Sequence, residues 1–123
     1  MNQQSLKSSR YVAINIWKKI YYKNSRFNNE INKSMEFNKL SKRDRSFIYH
    51  LISVCMRRNN QIKHIYKKYP NRPINEKLKN LHSILTLATA ELIWLNVPSY
   101  AVLNSYVELI KQIKEDHFSK FIN

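Results

Sequence analysis

Tyr11, Lys18 and Tyr22 recur at intervals of seven and four residues, a spacing that sets two aromatic rings and an amine on one face of a helix, with Asn15 between them. Exposed aromatics interleaved with cations stack on unpaired bases while the charges hold phosphates. A second set, Arg43, His50 and Arg57, recurs every seven residues within "RDRSFIYHLISVCMRR" and forms a polar stripe along one flank of a helix. With Arg10, these residues compose a candidate RNA-facing surface: Arg10, Tyr11, Lys18, Tyr22, Arg43 and Arg57. The competing account of the arginines is that they pair with Glu36, Asp44 or Glu91 inside the fold.

Catalytic and metal chemistry find no support. His50, His64, His82 and His117 lack the i, i+4 spacing of a ligand pair, and Cys55 has no neighbour in sequence to complete a metal site. Cys55 also falls on an apolar helical arc, which suits a small core residue better than a nucleophile. Glu91 lies in a stretch free of other charge, where a carboxylate is normally the structural partner of a buried arginine or amide; Arg57 and Arg58 are the donors expected for it. No cofactor, metal or small-molecule substrate is expected. Lys63, Lys77 and Lys79 read as a solvated face.

The elements that must position these groups are helices. The chain has 123 residues and no glycine, which argues against phosphate-cradling loops, dinucleotide fingerprints and tight β turns alike. Net charge is +14 and uneven: residues 1–80 carry 19 Lys/Arg against 4 Asp/Glu, and the remainder 3 against 4. Such a lopsided basic charge favours a polyanionic partner, nucleic acid or an anionic membrane surface. Because the chain is rich in Lys, Asn, Ile and Tyr, the residues of AT-rich codons, the seven arginines carry more weight than the lysines. A membrane-bound amphipathic helix would keep its aromatics on the apolar side, which disfavours that alternative. One cysteine, a polar start and an apolar stretch too short to span a bilayer ("LHSILTLATAELIWL", 81–95) fit a cytoplasmic protein.

Apolar periodicity predicts helices over 6–22, 27–37, from a Ser41 cap to Arg58, through Ile62 to Tyr69, over 76–95 and from Pro98 onward, with a short last element from Phe118. Asn59 and Asn60 are expected to end a helix in the left-handed conformation that glycine would otherwise supply. "YPNRPIN" (69–75) is the candidate boundary between two halves of a single domain spanning 1–123. The expected core includes Trp17, Leu51, Cys55, Leu85, Leu92 and Val102, with the 76–95 helix enclosed nearly all round.

"SSRYVAINIW", "RDRSFIYHLISVCMRR", "LATAELIWLNVPSYAVLNSYVELIK" and the closing "KFIN", in that order and spacing, resemble the NusB family from about residue 8 to the end. The resemblance implies an all-α NusB-like bundle of about seven helices in two halves that binds RNA through its basic first helix. Two branches compete. "RDRSF", "MRRNNQI" and "VPSYAVLNSYVELIK" look more like the N-terminal domain of the 16S rRNA cytosine-C5 methyltransferase of the Sun/Fmu type. Free-standing transcription antitermination factors more often carry a glutamate where Ser105 stands, and they bind RNA together with a ribosomal protein. In those relatives residues near the closing F-V-N also approach RNA, which adds Lys120 and Phe121 to the candidates. The methyltransferase's catalytic domain is absent from this sequence, so the chain is not expected to be an enzyme. The expected function is an RNA-binding module, for ribosomal RNA above all; a helical protein-interaction module is the alternative of another kind.

Overall fold

A computed structural model describes the backbone of residues 8–122 and the side chains of residues 8–114. Within them the chain forms six helices and no strand: α1 (Ser9–Lys23), α2 (Phe27–Lys33), α3 (Met35–Asn38), α4 (Lys42–Tyr66), α5 (Lys79–Ile93) and α6 (Ser99–Ile122). The all-α expectation holds, and the helix count departs from about seven for local reasons that can be named.

Three serines set helix starts. Ser8, Ser34 and Ser41 accept hydrogen bonds from the backbone N–H groups of Tyr11, Phe37 and Asp44, which satisfies one orphan donor at each N-terminus. Ser34 thereby splits the helix expected over 27–37 into α2 and α3. The helix expected from residue 76 starts later, because the Asn75 side chain accepts from the Lys77 N–H at 2.9 Å and holds that segment as a turn. "YPNRPIN" lies in this α4–α5 connection.

The left-handed asparagines are not Asn59 and Asn60 but Asn24 (φ 56°) and Asn96 (φ 57°). Asn24 caps the end of α1, and Asn96 lies two residues beyond Trp94, the C-cap of α5. The N–H of the next residue returns to a carbonyl six positions back, Ser25 to Lys19 at 3.1 Å and Val97 to Glu91 at 3.1 Å. Asn59 and Asn60 instead stay inside α4, which bends at Arg58 (φ −119°, ψ 22°) and runs on to Tyr66. The two helices expected there are one bent helix. Nor does α6 break at Phe118: no proline interrupts the sequence after Pro98, and the helix continues to Ile122.

The core joins α1 (Val12, Ala13, Ile16, Trp17), α4 (Ile48, Leu51, Ile52, Cys55, Ile62), α5 (Leu87, Ala90) and α6 (Val102, Tyr106, Leu109). Trp17, Leu51, Cys55 and Val102 are buried as expected, whereas Leu85 is only partly buried and Leu92 is 43% exposed. The reason is the face that α5 turns inward. It buries His82, Ser83, Thr86 and Glu91 alongside Leu87 and Ala90, leaving Leu81, Leu92 and Ile93 toward solvent. Its buried polar groups are largely satisfied locally: His82 Nδ1 lies 2.6 Å from the Tyr66 hydroxyl, and Thr86 Oγ1 donates to the His82 carbonyl at 2.7 Å.

Candidate nucleic-acid interface

Arg10 and Glu91 decide how the basic residues divide. Glu91 is fully buried on α5, and its donor is Arg10, not Arg57 or Arg58. Arg10 Nε donates to both carboxylate oxygens at 2.9 and 3.2 Å, and Nη2 donates to Oε1 at 2.5 Å. The buried Tyr106 hydroxyl of α6 donates to Oε2 as well. The guanidinium lies over Phe47 of α4 at 5.0 Å and Tyr106 at 5.7 Å, so one ion pair ties four helices together. Burial opposes the charge on Arg10, but the hydrogen bonds and charge of Glu91 outweigh it and hold its pKa above the usual value. Burial, then the Glu91 charge, pushes the Tyr106 phenol well up, and the same two causes raise the Cys55 thiol. Arg57 and Arg58 missed this role because helix α4 turns them outward: both are exposed, with Arg58 over the Trp94 ring at 5.2 Å and donating to Gln61 at 3.2 Å.

The remaining candidates fall into separate places. Arg43, His50 and Arg57 are all exposed, and on an α-helix they spread over about 21 Å of α4. The stripe begins at an open cavity of about 460 Å³ lined by Ser9, Arg10, Ser41, Arg43, Asp44 and Phe47. The N-terminal ends of α1 and α4 meet at this cavity, so helix dipoles add to the positive charge of Arg10 and Arg43 there, with Asp44 as the one carboxylate in the lining. Arg10 and Arg43 are thus brought together. Tyr11, Lys18 and Tyr22 are only half-buried or less enclosed than core residues, yet none stands clear of the protein. Tyr11 packs against the core, and Tyr22 meets Tyr21 edge-on at 4.8 Å. Lys18 lines a different cavity, between α1 and the α2–α3 segment. Lys120 and Phe121 have side chains outside the described residues.

Sequence reasoning missed the lysines that cover tyrosine rings. Lys63 Nζ sits 3.7 Å from the Tyr21 ring centroid and Lys79 Nζ 5.2 Å from that of Tyr22, so neither is a plain solvated charge. Burial, then Lys67, lowers the Lys63 pKa. The missed signal is the "YY" at 21–22, whose two rings cannot share one face of α1. Glu30 was missed too. It is 2% exposed although it sits in a polar seven-residue helix.

The NusB family profile matches residues 7–123. The chain belongs to the NusB family. Membership implies a helical RNA-binding domain, and the six-helix fold is that of the family. No curated protein and no solved structure matches the chain. The NusB domain occupies nearly all of the 123 residues, and no catalytic domain is evident in them. Among the described residues no helix is long and apolar enough to cross a membrane, and no group of three His, Cys, Asp or Glu side chains could hold a metal ion.

Proposed function

We propose that this NusB-family chain binds single-stranded RNA across α1 and α4, with the Arg43–His50–Arg57 stripe as its phosphate track. The observation that carries this reading is the exposure of all three residues on one flank of α4, beginning at a cavity between two helix N-termini. Arg43 and Arg57 are the phosphate contacts, indifferent to base identity. Arg10 is committed to Glu91 first and contributes at the edge of the cavity. Tyr11, Lys18 and Tyr22 extend the surface along α1, and the family resemblance adds Lys120 and Phe121 as candidate RNA contacts. The resemblance of "RDRSF" and "VPSYAVLNSYVELIK" supports the methyltransferase-type branch, with cytoplasmic ribosomal RNA as the partner. Titrating the chain into a short labelled single-stranded RNA at several salt concentrations tests the reading. Binding that weakens steeply with salt is expected, and binding insensitive to salt would overturn it.

A second reading has its own observation. Tyr100, Leu103 and Val107 share one face of α6 and are 70%, 65% and 49% exposed, and Leu92 and Ile93 at the end of α5 are exposed as well. An apolar face of this kind suits a protein partner, and the antitermination branch of the family supplies a ribosomal protein. Leu103→Asp would abolish such pairing while leaving RNA affinity unchanged.

A further inference from the structure

A groove between α4 and the α2–α3 segment has a volume of about 300 Å³ and combines an apolar floor with a basic rim. Ile31 and Phe37 supply the floor, and Lys42, Arg45 and Tyr49 line it from α4. These three stand at i, i+3 and i+7, the spacing of one helical face. Phe37 is buried in the core, whereas Tyr49 is 48% exposed, so the tyrosine ring is the accessible aromatic surface of the groove. Phe27, outside the lining, braces that ring with the two centroids 4.7 Å apart. Asn38 forms part of the wall, and its side-chain amide donates to the Ile31 carbonyl at 3.1 Å and the Ser34 carbonyl at 2.7 Å. Ring and wall are thus held in place before any ligand arrives, which lowers the ordering cost of binding.

The charges narrow the occupant. No carboxylate lines the groove, and no ion pair among the described residues includes Lys42 or Arg45. A purely apolar partner would leave both cations unanswered, and a free phosphate would leave the tyrosine and the floor unused. An unpaired nucleotide uses all of them: its base stacks on an aromatic ring whatever its identity, and the phosphates on either side meet the cations. An acidic peptide would also answer the cations, but membership of an RNA-binding family favours the nucleotide. Position favours it too. Lys42 and Tyr49 each precede a residue of the Arg43–His50–Arg57 stripe by one, which sets their row about 100° around α4 from it. The groove therefore adjoins the phosphate track.

We propose that this groove takes one unpaired nucleotide of the bound RNA, its base stacked on Tyr49 and its flanking phosphates held by Lys42 and Arg45. The proposal rests on the RNA-binding reading and deepens it by adding a sequence-tolerant base contact beside the track.

The test compares a short oligoadenylate with inorganic polyphosphate of matching charge on the full chain, followed by NMR and by affinity. Oligoadenylate should move the Tyr49 ring resonances upfield, the ring-current sign of a stacked base, whereas polyphosphate should bind without moving them. Tyr49→Ala should weaken oligoadenylate about tenfold, as expected for one lost stacking contact, and leave polyphosphate affinity and the salt slope unchanged. Tyr49→Phe should bind as the wild type does, because the ring and not the hydroxyl carries the contact. Arg45→Gln should flatten the salt slope for oligoadenylate by about 0.7. Should Tyr49→Ala not fold, the wild-type ring shifts decide alone. Salt-dependent binding of oligoadenylate with the Tyr49 ring unmoved would overturn the groove and leave the RNA-binding reading standing. Binding of neither polyanion would overturn that reading and the proposal with it. A Tyr49 ring shifted by polyglutamate and not by oligoadenylate would give the groove to an acidic protein partner and overturn the proposal.

Discussion

Glu91 and Glu30 are both shielded carboxylates in a basic protein, and their surroundings differ in kind. Glu91 receives three hydrogen bonds from Arg10 and one from Tyr106, on a helix packed against α1, α4 and α6. Glu30 has a serine and two loosely placed lysines beside an open cavity. A saturated buried carboxylate can only hold the fold together, because any new ligand would have to break an existing bond. Glu30 is shielded as well, but its lysine partners are exposed and at longer range, so it ties fewer elements together than Glu91 does. The same contrast divides the arginines, with Arg10 consumed by the core and Arg43 and Arg57 left on the surface.

The largest effect should come from breaking the saturated site. Arg10→Ala leaves Glu91 buried without its cation and should cost about 3–5 kcal/mol by urea denaturation. Adding Glu91→Gln to that variant should recover part of the loss, since the unpaired charge is then gone. A cost below 1 kcal/mol for Arg10→Ala would mean that the four-helix ion pair is not what its geometry indicates.

Next come the two faces of α5. Leu87→Ala removes a fully buried side chain and should cost about 2–5 kcal/mol, while Leu92→Ala on the exposed face should change the melting point little. Equal costs would show that α5 is enclosed on both sides.

Glu30→Gln should be milder, about 1 kcal/mol or less at neutral pH, because its lysine partners are exposed and screened. Folding lowers the pKa of Glu30, so the fold favours its ionised form. That contribution is fully present above the unfolded value of about 4.3 and is lost as pH falls through the lower folded value. The stability gap between wild type and Glu30→Gln should therefore close in acid, as followed by melting curves across pH. A gap independent of pH would remove the charge-based account of this residue.

Smallest in stability should be the double variant Arg43→Gln, Arg57→Gln. Its melting temperature should stay near that of the wild type, while the slope of log K against log salt for single-stranded RNA flattens by about 1.4. Tyr11→Ala sharpens the point from the other side. The ring packs against the core, so its loss should lower stability as well as RNA binding, leaving the salt slope intact.

Much of this was legible in the residue order. Absent glycine, helical periods and the Ser41 cap predict an all-α chain, and the heptad of Arg43, His50 and Arg57 predicts an exposed stripe because side chains seven apart share a face wherever the helix is placed. Leu92 was misjudged for the complementary reason. Periodicity assigns the inside of a helix by counting apolar residues, and α5 has apolar residues on both sides. Which side became the core was settled by the partners that Thr86, His82 and Glu91 found there.

The sequence by itself therefore determined the all-α character, the Ser41 cap and the charge of the first 80 residues, since each depends on composition or on contacts within a few positions along the chain. Tertiary structure alone decided which arginine Glu91 would take. Arg10 lies 81 residues away, and no local spacing distinguishes it from Arg57 or Arg58. It also decided that Glu30 would be shielded beside Lys19, because that depends on how α2 folds back on α1. Desolvation is the physical reason. A carboxylate's partner is set by what excludes water around it, and only packed helices exclude water.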